Sequence, residues 1–346
     1  MGAAGYAFTG SWTWGENIAW SGTTGTPDLL SYTNELHQNL FLSPGHRVNI
    51  LGGDFRELGT GIVSGQFASG GTTYNAVMAT ENFAASGSDY FVTGVAINDT
   101  DGDNFYDIGE AREGITMSIA GGTSDDTGAA GGYAATFAGG TVNLTFSGGD
   151  LANSVSVTIA AGQQNAKVDL LDASEILSSV SITLGDGAVS LGLLGVAALR
   201  GTGNDVANIL RGNKGANALD GKGGNDFITG AAGRDVLTGG TGADRFDFNA
   251  ISESAKNATY RDHVTDFLRG ADKIDLGTID ARTGVAGNQA FKWIATQAFH
   301  HKAGELHYVK TARSIVVEGD VNGDGKADFQ IQLDGRSVLG AADFIL

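Results

Sequence analysis

The sequence predicts a multidomain, mostly β chain: a first segment of one helix and strands, a run of antiparallel strands, a parallel β-roll and a β-rich C-terminal region. Three observations carry this. Glycine supplies 55 of 346 residues and proline only 2, which excludes collagen and proline-rich disorder and points to turns repeated many times. Runs alternating apolar with polar residues fill the stretch from about 90 to 180. Nine-residue units then recur in phase from Gly212 to Asp247. Apolar residues at 41% suffice for real cores. Shifts in composition divide the chain into residues 1–88, 89–184, 185–250 and 251–346.

The first segment opens with Trp14-Gly-Glu-Asn-Ile-Ala-Trp20. Thr26 to Leu42 reads as a helix, with Thr26 as N-cap, Pro27 at the first helical position and Asp28 in the first turn. Leu29, Tyr32 or Thr33, Leu36 and Leu40 form its apolar stripe. Leu40-Phe-Leu-Ser-Pro-Gly-His-Arg-Val-Asn-Ile-Leu51 follows, and Phe55–Val63 and Tyr74–Thr80 read as strands.

In the second segment, Gly140–Phe146 and Ser154–Ile159 alternate as half-buried strands. Between the strand-like runs Phe91–Ile97 and Gly114–Ile119 lies the loop Asp99–Glu110. It places Asp99, Asp101 and Asp103 at positions 1, 3 and 5, the Phe105 carbonyl at 7, Asp107 at 9 and Glu110 at 12, the ligand spacing of a twelve-residue calcium loop. Asn104 stands where glycine is usual and is itself tolerant of the left-handed turn. Such a loop would hold the start of a strand rigid.

The third segment carries the strongest signal. In nines from Gly212 the chain reads GNKGANALD, GKGGNDFIT, GAAGRDVLT and GGTGADRFD, with a degenerate unit before them from Gly203. Glycine holds positions 1 and 4, the latter at Gly215, Gly224, Gly233 and Gly242. Asn217, Asp226, Asp235 and Asp244 hold position 6, and Leu219, Ile228, Leu237 and Phe246 position 8. This is the pattern of calcium-binding parallel β-helices. Glycine permits the turn, carboxylates and turn carbonyls supply hard oxygens, and the apolar side chain fills the interior. The second glycine survives only at Gly240, with Asn213, Lys222 and Ala231 elsewhere. That departure, with Asn217 in place of Asp, predicts weak calcium binding in the first turns. Downstream, Asp320, Asn322, Asp324 and Asp328 match calcium-loop positions 1, 3, 5 and 9, but Ile331 replaces the acid at 12. Weak calcium binding and a purely structural Asx-turn both fit.

Three resemblances follow. The nonapeptides with Arg261–Phe267, Gly270–Leu276, Asp320–Phe329 and the terminal Asp-Phe-Ile-Leu resemble the C-terminal domain of serralysin-type secreted proteins, over about 195–346. This implies several calcium ions, an extracellular protein, and an uncleaved C-terminal signal read by a type I secretion apparatus. The strand-flanked acidic loop is similar to calcium-stapled β-sandwich repeats of bacterial surface adhesins. Gly-Glu-Asn with Ser-Pro-Gly-His-Arg-x-Asn-Ile-Leu is similar to the CAP superfamily of cysteine-rich secretory, antigen 5 and pathogenesis-related proteins. That resemblance implies an α-β-α sandwich, only partial in this chain, whose His/Glu cleft holds a divalent metal in some members, with Glu16, His46 and Glu35 as its counterparts here. The other His would lie upstream of Tyr6, so the chain reads as a fragment or truncated gene, or as a degenerate module, and a cleft metal would need the upstream segment. Two jobs compete for such a module: binding an extracellular lipid, sterol or protein, or peptidase-like hydrolysis by the cleft Glu/His.

Charge and absent motifs set the exclusions. The balance of 21 basic and 39 acidic residues, net −18, argues against nucleic acid and anionic membranes. No run approaches the ~20 apolar residues of a membrane span. Cysteine is absent, which removes disulfides and thiolate chemistry. There is no His-Glu-x-x-His, Gly-x-Ser-x-Gly or P-loop, and His300, His301 and His307 read as surface residues.

Overall fold

The computed structural model describes residues 12–50, 55, 57–85, 89–104, 106–107, 109–335 and 338–346. The chain divides into two compact units, Met1–Tyr90 and Phe91–Leu346.

In the first unit β1 (Thr13–Thr23), α1 (Leu29–Leu42), α2 (Pro44–Ile50), β2 (Glu57–Ser69) and β3 (Thr72–Ala85) follow in order. The strands form an antiparallel sheet ordered β1-β3-β2. A two-residue turn, Gly70-Gly71, joins β2 to β3 with φ +58° and +79°, the primed-turn geometry that only glycine adopts without strain. Helix α1 starts later than the sequence predicts. Asp28, not Thr26, is the N-cap, and its Oδ1 accepts from the Ser31 backbone N–H at 3.1 Å. Leu36 packs on Val77 and Ala79 with Ala19 and Tyr32, so the odd-numbered side chains of β1 and β3 face the helix.

The predicted α-β-α sandwich is not formed. The described residues contain only two α-helices, and the opposite sheet face carries Trp14, Ile18 and Val63 at 54%, 52% and 66% exposure. A sandwich of that kind needs a second helical layer there, and no described segment supplies one.

The second unit is two long sheets. It begins with β4 (Tyr90–Ile97), β5 (Ile115–Ile119), β6 (Ser124–Asp126), β7 (Gly132–Phe137), β8 (Gly140–Gly148), β9 (Val155–Gly162), β10 (Ala166–Leu171) and β11 (Glu175–Ser178). Three-to-four-residue strands follow: β12 (Ser181–Leu184), β13 (Ser190–Leu193), β14 (Arg200–Thr202), β15 (Ile209–Arg211), β16 (Ala218–Asp220), β17 (Phe227–Thr229), β18 (Val236–Thr238), β19 (Arg245–Asp247), β20 (Asp262–Val264) and β21 (Lys273–Asp275). The chain ends with β22 (Lys292–Trp293), β23 (Glu305–Lys310), β24 (Ser314–Asp320), β25 (Phe329–Asp334) and β26 (Phe344–Ile345).

From β12 to β21 successive strands alternate between the sheets, and from β13 on each is parallel to the strand two steps earlier. Leu210 therefore pairs with Ile228, Leu219 with Leu237, and Ile228 with Phe246. Nine residues make one turn and one strand, and eighteen complete a coil. Position 8 points inward each time: Leu210, Leu219, Ile228, Leu237 and Phe246 are 0–1% exposed, each worth roughly 1.5–3 kcal/mol of burial. The coil outlasts the visible repeat, because Leu237 pairs with Val264 and Phe246 with Ile274. The same two sheets continue into the β4–β11 region on one side and the β22–β26 region on the other.

Candidate metal centre

The turns of the roll hold its chemistry. Each position-6 side chain folds under its own turn and is buried: Asn217, Asp226, Asp235 and Asp244 are at most 2% exposed. One carboxylate oxygen accepts a backbone N–H from the turn below. Asn208 donates to Asp226 at 2.8 Å, Asn217 to Asp235 at 2.7 Å and Asp226 to Asp244 at 2.9 Å.

The ladder continues past the repeat. Asp235 N–H donates to Asp262 at 2.8 Å and Asp244 N–H to Asp272 at 2.9 Å. Sequence reasoning did not assign Asp262 and Asp272 as site residues, although a signal was present. Arg261-Asp-His-Val-Thr repeats Arg234-Asp-Val-Leu-Thr, and Ala271-Asp-Lys-Ile-Asp repeats Ala243-Asp-Arg-Phe-Asp. Spacings of 27 and 28 residues instead of 18 hide them from a search in nines.

The second oxygen separates the turns. Oδ2 of Asp226, Asp235, Asp244 and Asp262 is buried with no hydrogen-bond partner. Asp272 Oδ2 instead accepts from the Leu268 N–H at 2.7 Å, while Asp266 accepts from Gly239 and Gly240 N–H at 2.9 and 2.8 Å at the start of the Asp244 turn. Burial pushes the Asp226 and Asp235 carboxyls up to about 7 and Asp262 to about 8, against the pull of one N–H each; nearby carboxylates add to the rise. Asp244 is raised for the same reasons.

The glycines frame those oxygens. A Cβ on Gly221 would collide with Asp226 Oδ2 and the Gly239 carbonyl, and one on Gly230 would stand 2.6 Å from Asp235 Oδ2. Gly224, Gly233 and Gly242 are left-handed, with φ +100°, +142° and +146°. A Cβ on Gly233 would lie 2.5 Å from the Gly215 carbonyl, and one on Gly242 would strike the Gly224 carbonyl. Unpartnered carboxylate oxygens beside inward-turned carbonyls are a hard-oxygen donor set, the kind calcium takes.

The loop Asp99–Glu110 is assembled in part. Asp99, Asp101 and Asp103 each place an oxygen within 4.8 Å of the others, and Asp107 and Glu110 are not in that group. Glu110 is turned inward: Oε1 accepts from Thr100 N–H and hydroxyl at 2.8 and 2.7 Å, and Oε2 from Asp107 N–H at 3.0 Å. These bonds, led by the Thr100 hydroxyl, hold its carboxyl below the usual range. Asp101 is raised: the Asp103 N–H pulls it down, but desolvation and the charges of Asp103, Glu110 and Asp107 outweigh that. Phe105 lies outside the described residues.

In the loop at 320–328, Asp320 accepts from Gly323 and Gly325 N–H at 2.6 and 2.9 Å, Asn322 from Asp324 N–H and Asp324 from Lys326 N–H. Asp328 accepts from Val321 N–H and the Asn322 amide.

The histidine and glutamate expectations are corrected. Glu16 pairs with Asn82 across β1 and β3, on the even face, while Asn17 on the odd face donates to the His46 carbonyl at 3.0 Å. The sheet therefore lies between the Glu16 side chain and His46, which bonds Ser43 Oγ at 2.9 Å. Glu35 is exposed. The contact made instead is His37 with Glu81 at 2.6 Å, and Glu81 also accepts from Asn17. His307 is buried at 6% exposure, not a surface residue. Its ring nitrogens meet the Gln297 carbonyl at 2.7 Å and Glu318 Oε2 at 2.8 Å. Burial lowers its pKa, but those bonds and the Glu318 and Glu305 charges outweigh it and the net shift is upward.

A two-sheet parallel roll with carboxylate-and-carbonyl turns defines a class, the calcium β-roll proteins. The chain belongs to the family described as peptidase M10 serralysin C terminal, which matches residues 70–346. The expected CAP module and its cleft metal are corrected by the fold: the described residues hold only two α-helices, and the family match extends from residue 70 to the end. No curated protein matches the chain. Among solved structures it is similar to the AlgE6R3 subunit of the Azotobacter vinelandii mannuronan C5-epimerase, at 23% identity over 44% of this chain and 80% of that one, TM-score 0.33. The AlgE6R2 subunit of the same enzyme matches at 22% identity over 44% and 92%, TM-score 0.30. Family membership supports a calcium-binding, extracellular β-roll. No helix among the described residues is long and apolar enough to cross a membrane.

Proposed function

We propose that this chain is an extracellular protein whose β-roll folds on calcium, with residues 251–346 acting as the address for type I secretion. Asp226, Asp235, Asp244 and Asp262, with the turn carbonyls around Gly224, Gly233 and Gly242, would hold the ions. Asp99, Asp101 and Asp103 would hold a further one at the surface. The observation that carries the reading is the set of four buried carboxylate oxygens with no donor.

An ionised pair on neighbouring strands, ~4.8 Å apart, repels by roughly 3–4 kcal/mol at an effective dielectric of 20. Calcium supplies the positive charge that removes this repulsion and satisfies the second oxygen. Where calcium is scarce the same carboxylates disfavour the turns that carry them and leave β17 to β20 unfolded for export. Far-UV circular dichroism and hydrogen exchange of the full chain at pH 8.5 test this, in chelator and in millimolar calcium. Strands β17 to β20 should become protected on calcium addition; full protection of those strands in chelator would falsify the proposal.

A further inference from the structure

The first two turns of the roll are built differently from those that follow. In the turn from Gly203, Asn204 and Asn208 fill positions 2 and 6; in the turn from Gly212, Asn213 and Asn217 do so. The position-6 oxygen, orphaned in the carboxylate turns, here accepts the position-2 backbone N–H at 2.8 Å in both turns. The position-6 amide donates to the position-2 oxygen at 3.0 Å in both, and that oxygen accepts the position-4 N–H at 3.2 and 2.7 Å.

The position-2 amide then reaches down one coil. Asn204 Nδ2 donates to the Gly185 and Ala188 carbonyls at 2.8 and 2.9 Å, and Asn213 Nδ2 to the Leu194 and Ala197 carbonyls at 3.0 and 3.1 Å. A single NH2 group thus gathers two carbonyls, and its two donors are both used. The backbone differs to match. Position 2 is left-handed at Lys222, Ala231 and Gly240, but Asn204 and Asn213 are not among the left-handed residues, and Gly215 is not either. The same five-bond pattern nine residues apart makes this a repeated device.

We infer that the paired asparagine amides take the place of a cation in these two turns, so that the calcium-bearing part of the roll begins at Gly221. The coil through Ser190–Asp220 then stays folded when calcium is withdrawn. It presents β15 and β16 as a ready sheet edge, and Asn208 and Asn217 offer their N–H groups to Asp226 and Asp235. In a solenoid each coil is stabilised by its neighbour, so calcium-driven folding propagates from that edge instead of nucleating in open chain.

The inference rests on the calcium reading of the carboxylate turns, and the experiment separates the two. At pH 8.5, hydrogen exchange of the full chain in chelator should show amides of 190–211 exchanging at least about a hundredfold more slowly than those of 227–247, with the difference closing in millimolar calcium. Rapid exchange of both regions in chelator overturns the inference and leaves the calcium reading standing. Slow exchange of both overturns the calcium reading. As a second arm, the double variant Asn213→Gly with Asn217→Asp restores a carboxylate turn. Native mass spectrometry should find one more calcium ion bound, and protection of 209–220 in chelator should be lost; an unchanged ion count with unchanged protection overturns the inference.

Discussion

The loop at 320–328 and the turns at 226–262 are both dense in carboxylate, yet their hydrogen-bond accounts are opposite. In the loop both Asp320 oxygens are taken by N–H groups three and five residues away, and Asp328 by Val321 and Asn322. In the roll one oxygen accepts an N–H from another coil and the second accepts nothing. Acid content therefore does not measure demand for a cation. What measures it is whether the fold provides donors for the second oxygen, since a buried charge left unmatched is costly.

Acidity should break that comparison most visibly. In the folded roll Asp226 and Asp235 titrate at about 7 and Asp262 at about 8, against 3.8 in the unfolded chain. A raised carboxyl binds its proton more tightly when folded. Its contribution to stability is thus full below pH 3.8 and is lost as pH rises through 7 to 8. In chelator, 227–247 should be protected at pH 5 and lose most of that protection by pH 8.5, after correction for intrinsic exchange rates. A flat or inverted profile in the roll would mean that the orphan oxygens have protein donors.

Asp320→Ala should cost about 3 kcal/mol, since it strips two backbone N–H groups of a charged acceptor. The loss in Tm should be equal with and without calcium. A loss seen only in calcium would make the loop a metal site after all.

Asp235→Asn sharpens the other side. It should remove one calcium by native mass spectrometry, yet stabilise the chelated chain by about 1.5 kcal/mol by deleting an unmatched buried charge. Destabilisation in both conditions would contradict the orphan-oxygen account.

The smallest effect concerns backbone. Lys222 and Ala231 hold φ +74° and +63° at position 2, where Gly240 sits at +95°. Ala231→Gly relieves a left-handed strain of about 1 kcal/mol, partly offset by the freedom glycine adds to the unfolded chain. A calcium midpoint shifted slightly downward is the expected reading.

Legibility in the sequence followed the range of the interaction. The repeat was readable because each residue of a nonapeptide returns to one environment, so Leu219, Ile228, Leu237 and Phe246 report the interior directly. Strand alternation likewise located β8 and β9. The Gly-Glu-Asn and Ser-Pro-Gly-His-Arg motifs misled, because a short motif says nothing about which sheet face its side chains occupy. Position 16 is even-numbered, and the helix face belongs to the odd residues Asn17 and Ala19. His307 escaped because its partners, Gln297 and Glu318, come from other segments.

By itself the sequence determined the period, the inward apolar column and the turn glycines, since these depend on neighbours within nine residues. Only the tertiary structure decided which acids lack a donor, that Asp262 and Asp272 join the ladder across insertions, and that Asn204 and Asn213 bridge coils. Each of those facts depends on a hydrogen bond to a residue 16 to 28 positions away, and pairing at that distance exists only once the coils are stacked.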